Sequence, residues 1–212
     1  MIDQAELRVA YAWPEGPWVR AMMLTTLDGA IAGADGLSGS ISNTTDRAVL
    51  SEVRREADAI LIGAGTLRAE RYNPVREREG RAPVLCIVSG SLELPWSDAV
   101  FTESLHAPLV ITDSTVECEY ANLIRLTQCD AGSIVGALRE RGLHRIVCEG
   151  GARLMTQLTA ADLVDEYDVT LAPVLAGNGR GIVDGDLGAG KSLNLQGLLT
   201  DGQMAFVRYL RV

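Results

Sequence analysis

Short apolar runs alternating with helix-patterned stretches organise the first three quarters of the chain. The runs are Trp18-Val19-Arg20-Ala21-Met22-Met23-Leu24-Thr25, Ala59-Ile60-Leu61-Ile62-Gly63, Val84-Leu85-Cys86-Ile87-Val88, Leu109-Val110-Ile111-Thr112 and Arg145-Ile146-Val147-Cys148. The shorter ones are strand-sized and apolar nearly throughout, the pattern of a parallel strand covered on both faces. A further short strand is predicted near 123–126. Asn43-Thr44-Thr45-Asp46 reads as a helix start, and the helix it opens carries Val49, Leu50 and Val53 on one face. A second helix is predicted over 131–141 and a third directly after Gly150-Gly151. Beyond Leu163 the texture changes. A long strand is predicted over 165–173, and the tail from Ser192 alternates around Asp201-Gly202, a hairpin signal. These elements predict an α/β fold with a mixed, mostly parallel sheet and a C-terminal antiparallel hairpin. No repeat or linker interrupts residues 1–212, so one domain is expected, with 1–17 as an N-terminal extension. The segment Ala176-Gly177-Asn178-Gly179-Arg180-Gly181 is too glycine-rich to pack as an element and reads as a mobile loop at the sheet's edge, either functional or a linker.

Several strand ends carry candidate chemistry. At Cys148-Glu149-Gly150-Gly151-Ala152 a buried strand meets two glycines that open a helix, whose first N–H groups have no internal partners and suit a phosphate. The same glycine pair also fits simple tight packing. Glu149 cannot bind an anion and is expected to face the reacting end of a ligand or a hydroxyl. At Ile62-Gly63-Ala64-Gly65-Thr66-Leu67-Arg68 a buried strand again ends in glycines, with a threonine and an arginine in the turn that follows, and two such junctions in one sheet favour a ligand crevice at the strands' carboxyl ends. The spacing is not that of a dinucleotide G-x-G-x-x-G. Val88-Ser89-Gly90-Ser91 is a third candidate, either a hold for a 2′-phosphate or a plain turn. Leu27-Asp28-Gly29 is either a reactive carboxylate or a turn, and one of Arg54 and Arg55 is expected to reach an anionic substrate.

Charge and composition narrow the classes. The 212 residues carry 19 basic and 28 acidic side chains, a net charge of −9, with a single lysine, Lys191. No Lys/Arg run in the sequence makes a basic face, so a nucleic-acid partner is not expected. Cys86, Cys118, Cys129 and Cys148 form no C-x-x-C pair, and His106 and His144 are the only histidines. No metal site and no disulfide framework are expected. The acidic start, Met1-Ile2-Asp3-Gln4-Ala5-Glu6, is no secretory signal, and no apolar stretch is long enough to span a membrane, so a cytoplasmic location is expected. No Ser-His-Asp or Cys-His set is apparent, which argues against nucleophilic hydrolysis.

Four segments together resemble the reductase domain of riboflavin biosynthesis, whose fold is related to dihydrofolate reductase. They are Thr25–Ala32, Arg54–Thr66, Glu149-Gly150-Gly151-Ala152, and Leu163-Val164-Asp165-Glu166 leading to Ala172-Pro173-Val174-Leu175-Ala176-Gly177. The resemblance spans roughly residues 18 to 210. Tyr11-Ala12-Trp13-Pro14 and the segment Thr66–Tyr72 resemble an actinobacterial stand-alone branch. It implies a dihydrofolate reductase-like three-layer fold, and NADPH-dependent reduction of the ribose of a 5-amino-6-(phosphoribosylamino)uracil to ribitol. It places NADPH across Leu24, Ala64, Gly65, Thr66, Ser89, Gly150, Gly151, Ala152, Arg153, Leu154 and Met155. Ser38, Arg54 and Glu149 match substrate-holding positions, with Glu70 and Tyr72 in the segment that grips the phosphoribose end. Asp28 and Glu149 are expected as orienting groups or proton relays. The apolar C-terminal strands (Met204-Ala205-Phe206-Val207 and Tyr209-Leu210) would leave a hydrophobic sheet edge in a lone chain, and related reductases are dimers, so a homodimer is expected.

One departure bears on the substrate. The family's usual Asp-Asp-Pro, leucine and arginine are replaced by Glu70-Arg71-Tyr72-Asn73-Pro74, where Tyr72 offers an aromatic face to a flat ring. Two alternatives therefore stand beside the main expectation: reduction of another flat heterocycle such as a dihydropterin or dihydrofolate, and a non-catalytic nucleotide-binding protein on the same fold.

Overall fold

A computed structural model of the chain describes residues 2–177 and 179–212; Asn178 of the glycine-rich loop lies outside the described residues. The elements in chain order are α1 (Gln4–Ala10), β1 (Trp18–Thr26), α2 (Thr44–Arg55), β2 (Ala59–Gly63), α3 (Ala64–Glu70), β3 (Val84–Val88), α4 (Ala99–Thr102), β4 (Leu109–Thr112), β5 (Leu123–Arg125), α5 (Ala131–Arg139), β6 (Arg145–Cys148), α6 (Ala152–Ala160), β7 (Glu166–Ala172), β8 (Leu193–Thr200) and β9 (Ala205–Arg211). The nine strands form one sheet in the order β5-β4-β3-β2-β6-β1-β7-β9-β8. Pairing is parallel from β5 to β7, and β9 and β8 add to it antiparallel. The expected α/β class, mostly parallel sheet and closing hairpin are all present.

The apolar runs are continuous because both sheet faces are covered. Successive side chains of β2 point to opposite faces, so Ile60 and Ile62 enter one core and Ala59 and Leu61 the other. The first core is closed by Leu7 of α1, Val49 and Val53 of α2 and Leu67 of α3. The second is closed by Ile134 and Leu138 of α5 and Met155 and Leu158 of α6. The result is three layers, helix on sheet on helix.

Two elements escape the hydrophobic pattern. α1 is capped by Asp3, whose carboxylate accepts from the Glu6 N–H, and it buries Leu7. With so few apolar positions it has no readable period, yet Leu7, Tyr11 and Trp13 place residues of the expected extension inside the first core. α4 spans a single turn. The apolar segment Met204–Leu210, expected to form a sheet edge, lies in and beside β9 and is second from the edge. Met204, Phe206 and Val207 are buried within the chain, and β8 is the edge, exposing Leu195 and Leu198. The sequence places the hairpin but not its direction of return, which decides which strand ends outermost.

At the end of the sheet where β1, β7 and β9 meet, two guanidiniums and two carboxylates are buried together. Arg20 and Glu166 bond at 3.0 and 2.8 Å, and Arg208 donates to the other oxygen of Glu166 through Nε at 2.7 Å. Asp168 lies 3.2 Å from Arg20 and 3.6 Å from Arg208 without a hydrogen bond to either. Arg20 also stacks on Trp13 with its guanidinium carbon 4.4 Å from the ring centroid, and donates to the Tyr11 and Ala12 carbonyls. The cluster clamps the N-terminal segment to the sheet.

Candidate active site

The cleft is built at the carboxyl ends of the central strands. β2 and β6 run parallel, and their C-terminal ends are tied by Glu149 N–H to Leu61 O and Gly63 N–H to Gly150 O. The Gly150–Gly151 peptide is cis, and Gly150 has φ +94°, a conformation that L side chains resist. α3 starts at Gly63 and α6 at Gly151, and neither start has a side-chain cap. The two starts touch: a Cβ on Gly151 would lie 3.0 Å from Thr66 Oγ1, and one on Gly63 would lie 3.6 Å from the Gly151 nitrogen. Any side chain at Gly151 would therefore narrow the space between two rows of uncapped N–H groups.

That space opens into a cleft of about 1520 Å³, whose lining includes Leu24, Ala64, Gly65, Thr66, Gly151, Ala152, Arg153 and Leu154. Ser38, Arg54, Glu70, Tyr72 and Glu149 line the same cleft. Glu149 stands on the β6 side and Arg54 in the last turn of α2. The guanidinium takes both carboxylate oxygens, Nε to Oε1 at 2.6 Å and Nη2 to Oε2 at 2.5 Å, and the Tyr72 hydroxyl donates to Oε2 at 2.8 Å. Arg54 also lies over the Tyr72 ring at 5.7 Å. Burial opposes the Arg54 charge, but Glu149 more than offsets it and holds the guanidinium above its ordinary range. Burial, then the Glu149 charge, pushes the Tyr72 phenol well above its usual value, so it keeps its proton at neutral pH. The site thus presents a protonated hydroxyl beside a paired carboxylate. Glu70 lines the same region, with its carboxylate accepting from the Ser38 N–H at 2.9 Å, which fixes the loop before α2.

Four expected site residues are placed otherwise. Asp28 does not line the cleft. It is exposed and accepts from Thr26 Oγ1 and from the Ala176 and Gly177 N–H groups, holding the loop after β7 against the end of β1. Those hydrogen bonds, the Thr26 hydroxyl first, bring its pKa down to about 2, which suits an anchor rather than a proton relay. Ser89 is 2 % exposed and its hydroxyl accepts from the Leu92 N–H, so it closes a local turn while Val88 and Gly90 line the cleft. Met155 is fully buried in the second core, on the face of α6 opposite the cleft wall. Gly150 is absent from the lining and contributes through its carbonyl bond to Gly63. For Ser89 and Met155 the spacing gives the segment, while the direction of the side chain comes from packing.

The structure also shows what the sequence concealed. Arg47, Arg54, Arg55, Arg68, Arg71, Arg76, Arg78, Arg81, Arg153 and Arg180 all line the cleft, against Asp46, Glu70 and Glu149. In a chain of net charge −9, the cationic side chains converge on one hollow. Half of them lie between positions 68 and 81, interleaved with Glu70, Glu77 and Glu79, and the others come from α2, α6 and the loop after β7, so the sequence shows a mixed charge pattern rather than a basic run. Such a cleft raises the local concentration of anionic ligands.

The sequence profile of the RibD C-terminal domain family matches residues 17–206. The chain belongs to that family. A 2,5-diamino-6-ribosylamino-4(3H)-pyrimidinone 5′-phosphate reductase of Methanothermobacter thermautotrophicus is 29% identical over 184 residues, covering 80% of this chain and 85% of the relative. The crystal structure of a pyrimidine reductase-like protein from Corynebacterium diphtheriae superposes with a TM-score of 0.84 at 26% identity, covering 97% of this chain and 98% of that one. A Thermotoga maritima protein, a diaminohydroxyphosphoribosylaminopyrimidine deaminase/5-amino-6-(5-phosphoribosylamino)uracil reductase, shares the fold with a TM-score of 0.78 at 24% identity; this chain covers 60% of it. The fold, the family and the class of enzyme, an oxidoreductase of the pyrimidine reductase type, agree with the resemblance read from the sequence. No helix among the described residues is long and apolar enough to cross a membrane.

Proposed function

We propose that this protein is an NADPH-dependent reductase of a phosphoribosylaminopyrimidine, reducing the ribose to a ribityl chain. The observation that carries this reading is the pair of uncapped helix starts beside Gly63 and Gly151, sharing one arginine-lined cleft with the Arg54–Glu149–Tyr72 cluster. The uncapped N–H groups and the Arg153 and Arg68 side chains fit the phosphates of a dinucleotide. Leu24, Met22 and Met23 give the cleft an apolar floor that suits a nicotinamide ring. When bound, NADPH supplies the hydride.

The rest of the work is positional. The sugar carbon must be held at the hydride donor with water displaced, which asks for shape more than covalent chemistry. Reduction of the sugar carbon also consumes a proton. Tyr72, kept protonated, and Glu149, oriented by two bonds from Arg54, stand where a ribose oxygen or the ring nitrogen is to be met. Arg47 and Arg71, on α2 and just past α3, line the same cleft and suit the 5′-phosphate.

Steady-state NADPH oxidation with the phosphoribosylaminopyrimidines tests the reading, and no oxidation with any of them overturns it. The cofactor assignment makes a separate prediction. NADPH is expected to raise the melting temperature more than NADH at equal concentration, because the arginines favour the extra phosphate. Equal shifts would remove the 2′-phosphate contact. A homodimer is part of the same proposal: β8 is an open edge exposing Leu195 and Leu198, which a second copy would cover. Light scattering is expected to give twice the chain mass; a mass of one chain contradicts this.

A further inference from the structure

One cleft arginine, Arg180, comes from the loop between β7 and β8, and that loop is fastened on two sides. Its first part is tied to the end of β1. Leu27 N–H donates to the Val174 carbonyl at 2.9 Å, Asp28 takes the Ala176 and Gly177 N–H groups, and Ile31 N–H donates to the Arg180 carbonyl at 3.0 Å. A Cβ at Gly179 would stand 2.5 Å from the Ala30 Cβ, so only glycine lets the backbone lie this close. The second part is tied to α6. Asp184 N–H donates to Thr156 Oγ1 at 2.8 Å, and that buried hydroxyl donates to the Ala152 carbonyl at 2.8 Å.

Asp184 meets two of the cleft arginines at once. Its Oδ2 lies 3.7 Å from Arg180 Nε and 3.9 Å from Arg153 Nε, beyond hydrogen-bond length from both. Arg153 and Arg180 line the cleft and Asp184 does not, so the carboxylate meets them outside it. Among the described residues no hydrogen bond holds either guanidinium, and the approach of Asp184 through Nε leaves the paired Nη groups for a ligand. Two guanidiniums drawn to one point repel each other, and the carboxylate offsets that repulsion. Exposed pairs of this kind contribute little to folding, so the effect of Asp184 falls on where the two arginines point. Arg153 is the second residue of α6, whose start is uncapped, and the β1 floor adjoins that start: a Cβ at Gly150 would lie 3.5 Å from Met23 Sδ. A dinucleotide with its nicotinamide on the β1 floor carries its phosphates past this point.

We infer that Arg180 and Arg153 form a two-guanidinium clamp on the cofactor's pyrophosphate, and that Asp184 is the residue that positions both. This rests on the proposed cofactor reading and deepens it. A pyrophosphate offers each planar guanidinium a pair of oxygens, which suits two arginines arriving from different elements. The 2′-phosphate of NADPH sits on the adenosine ribose, on the other side of the pyrophosphate from the nicotinamide, and is not the group clamped here. The β7–β8 loop is thereby part of the cofactor site rather than a connection alone.

Calorimetric binding of NADPH, NADH and inorganic pyrophosphate tests this in the native protein, Arg180→Ala, Asp184→Asn and the double variant, each first shown to be folded by a thermal melt without ligand. Arg180→Ala is expected to weaken all three by about 10-fold or more, the scale of a charge-assisted contact. NADPH and NADH are expected to lose the same factor, because they share the pyrophosphate. Asp184→Asn is expected to weaken binding about three- to fivefold, the scale of an exposed ion pair. In the double variant its effect is expected to shrink, because it acts through the arginine. A loss confined to NADPH assigns Arg180 to the 2′-phosphate and overturns the inference. Tighter binding by Asp184→Asn overturns it too, since the carboxylate would then compete with the ligand, as does an Asp184→Asn loss undiminished in the double variant. Unchanged binding in Arg180→Ala removes the clamp and leaves the cofactor reading standing. Pyrophosphate binding that depends on Arg180, without binding of either dinucleotide, keeps the phosphate clamp and removes the cofactor reading.

Discussion

Glu149→Gln is expected to lower turnover by about 10²- to 10⁴-fold, the range for loss of a positioned proton-transfer group, while NADPH affinity changes little. The physical reason is in the three bonds its carboxylate receives. Arg54 fixes it with two and Tyr72 adds the third, so a charged acceptor lies at the hydroxyl that keeps its proton. Glutamine keeps the shape but removes the charge that orients both partners, and one side of the amide turns a donor toward either Arg54 or Tyr72. Single-turnover NADPH oxidation at saturating substrate isolates the chemical step from binding. A variant within about threefold of the native rate would show that Glu149 serves only to hold Arg54. Loss confined to KM would place it in substrate binding alone.

Arg20→Ala is expected to cost about 3–5 kcal/mol of folding stability, the usual penalty for stranding buried charge. Arg20 is wholly buried, and its removal leaves Glu166 one guanidinium short and Asp168 with Arg208 alone. It also removes the stack on Trp13 and the bonds to the Tyr11 and Ala12 carbonyls that hold the N-terminal segment down. Urea unfolding gives the number, and a loss below about 1 kcal/mol would mean that water or relaxation replaces the clamp.

The same cluster sets a pH dependence. Burial raises the folded-state pKa of Asp168 above its unfolded value against the pull of Arg20, whereas for Glu166 the two arginines overcome burial and lower it. For Asp168 the folded chain holds a proton that the unfolded chain releases near pH 4, so its contribution is complete below that pH and is lost as pH rises through the folded pKa. For Glu166 the contribution is present above the unfolded pKa and is lost as pH falls through the folded one. Asp168→Asn is therefore expected to flatten the decline of stability on the alkaline side of pH 4. An unchanged slope would mean that Asp168 is ionised in the folded protein.

Most of the architecture was legible because both sheet faces are covered. A strand such as Ala59–Gly63 must then be apolar at every position, and a glycine must follow where another backbone comes close. Glu149, Arg54, Tyr72 and the Gly151 junction were visible on the same terms. Ser89 and Met155 lie in segments beside the cleft with their side chains buried, since a one-residue rotation on a helix or turn exchanges cleft for core, while Asp28 is exposed and turned toward the loop after β7 by its hydrogen bonds.

The sequence by itself determined the strands, their burial, the crevice at their carboxyl ends and the family of the chain. Local periodicity and the glycine positions encode backbone path, and these survive any arrangement of the rest. Only the tertiary structure decided that β8 and not β9 is the edge, and that an acidic chain gathers ten arginines around one hollow. Convergence of side chains from α2, α3 and the segments after α3 and β7 is a property of packing, and distance along the chain carries no record of it.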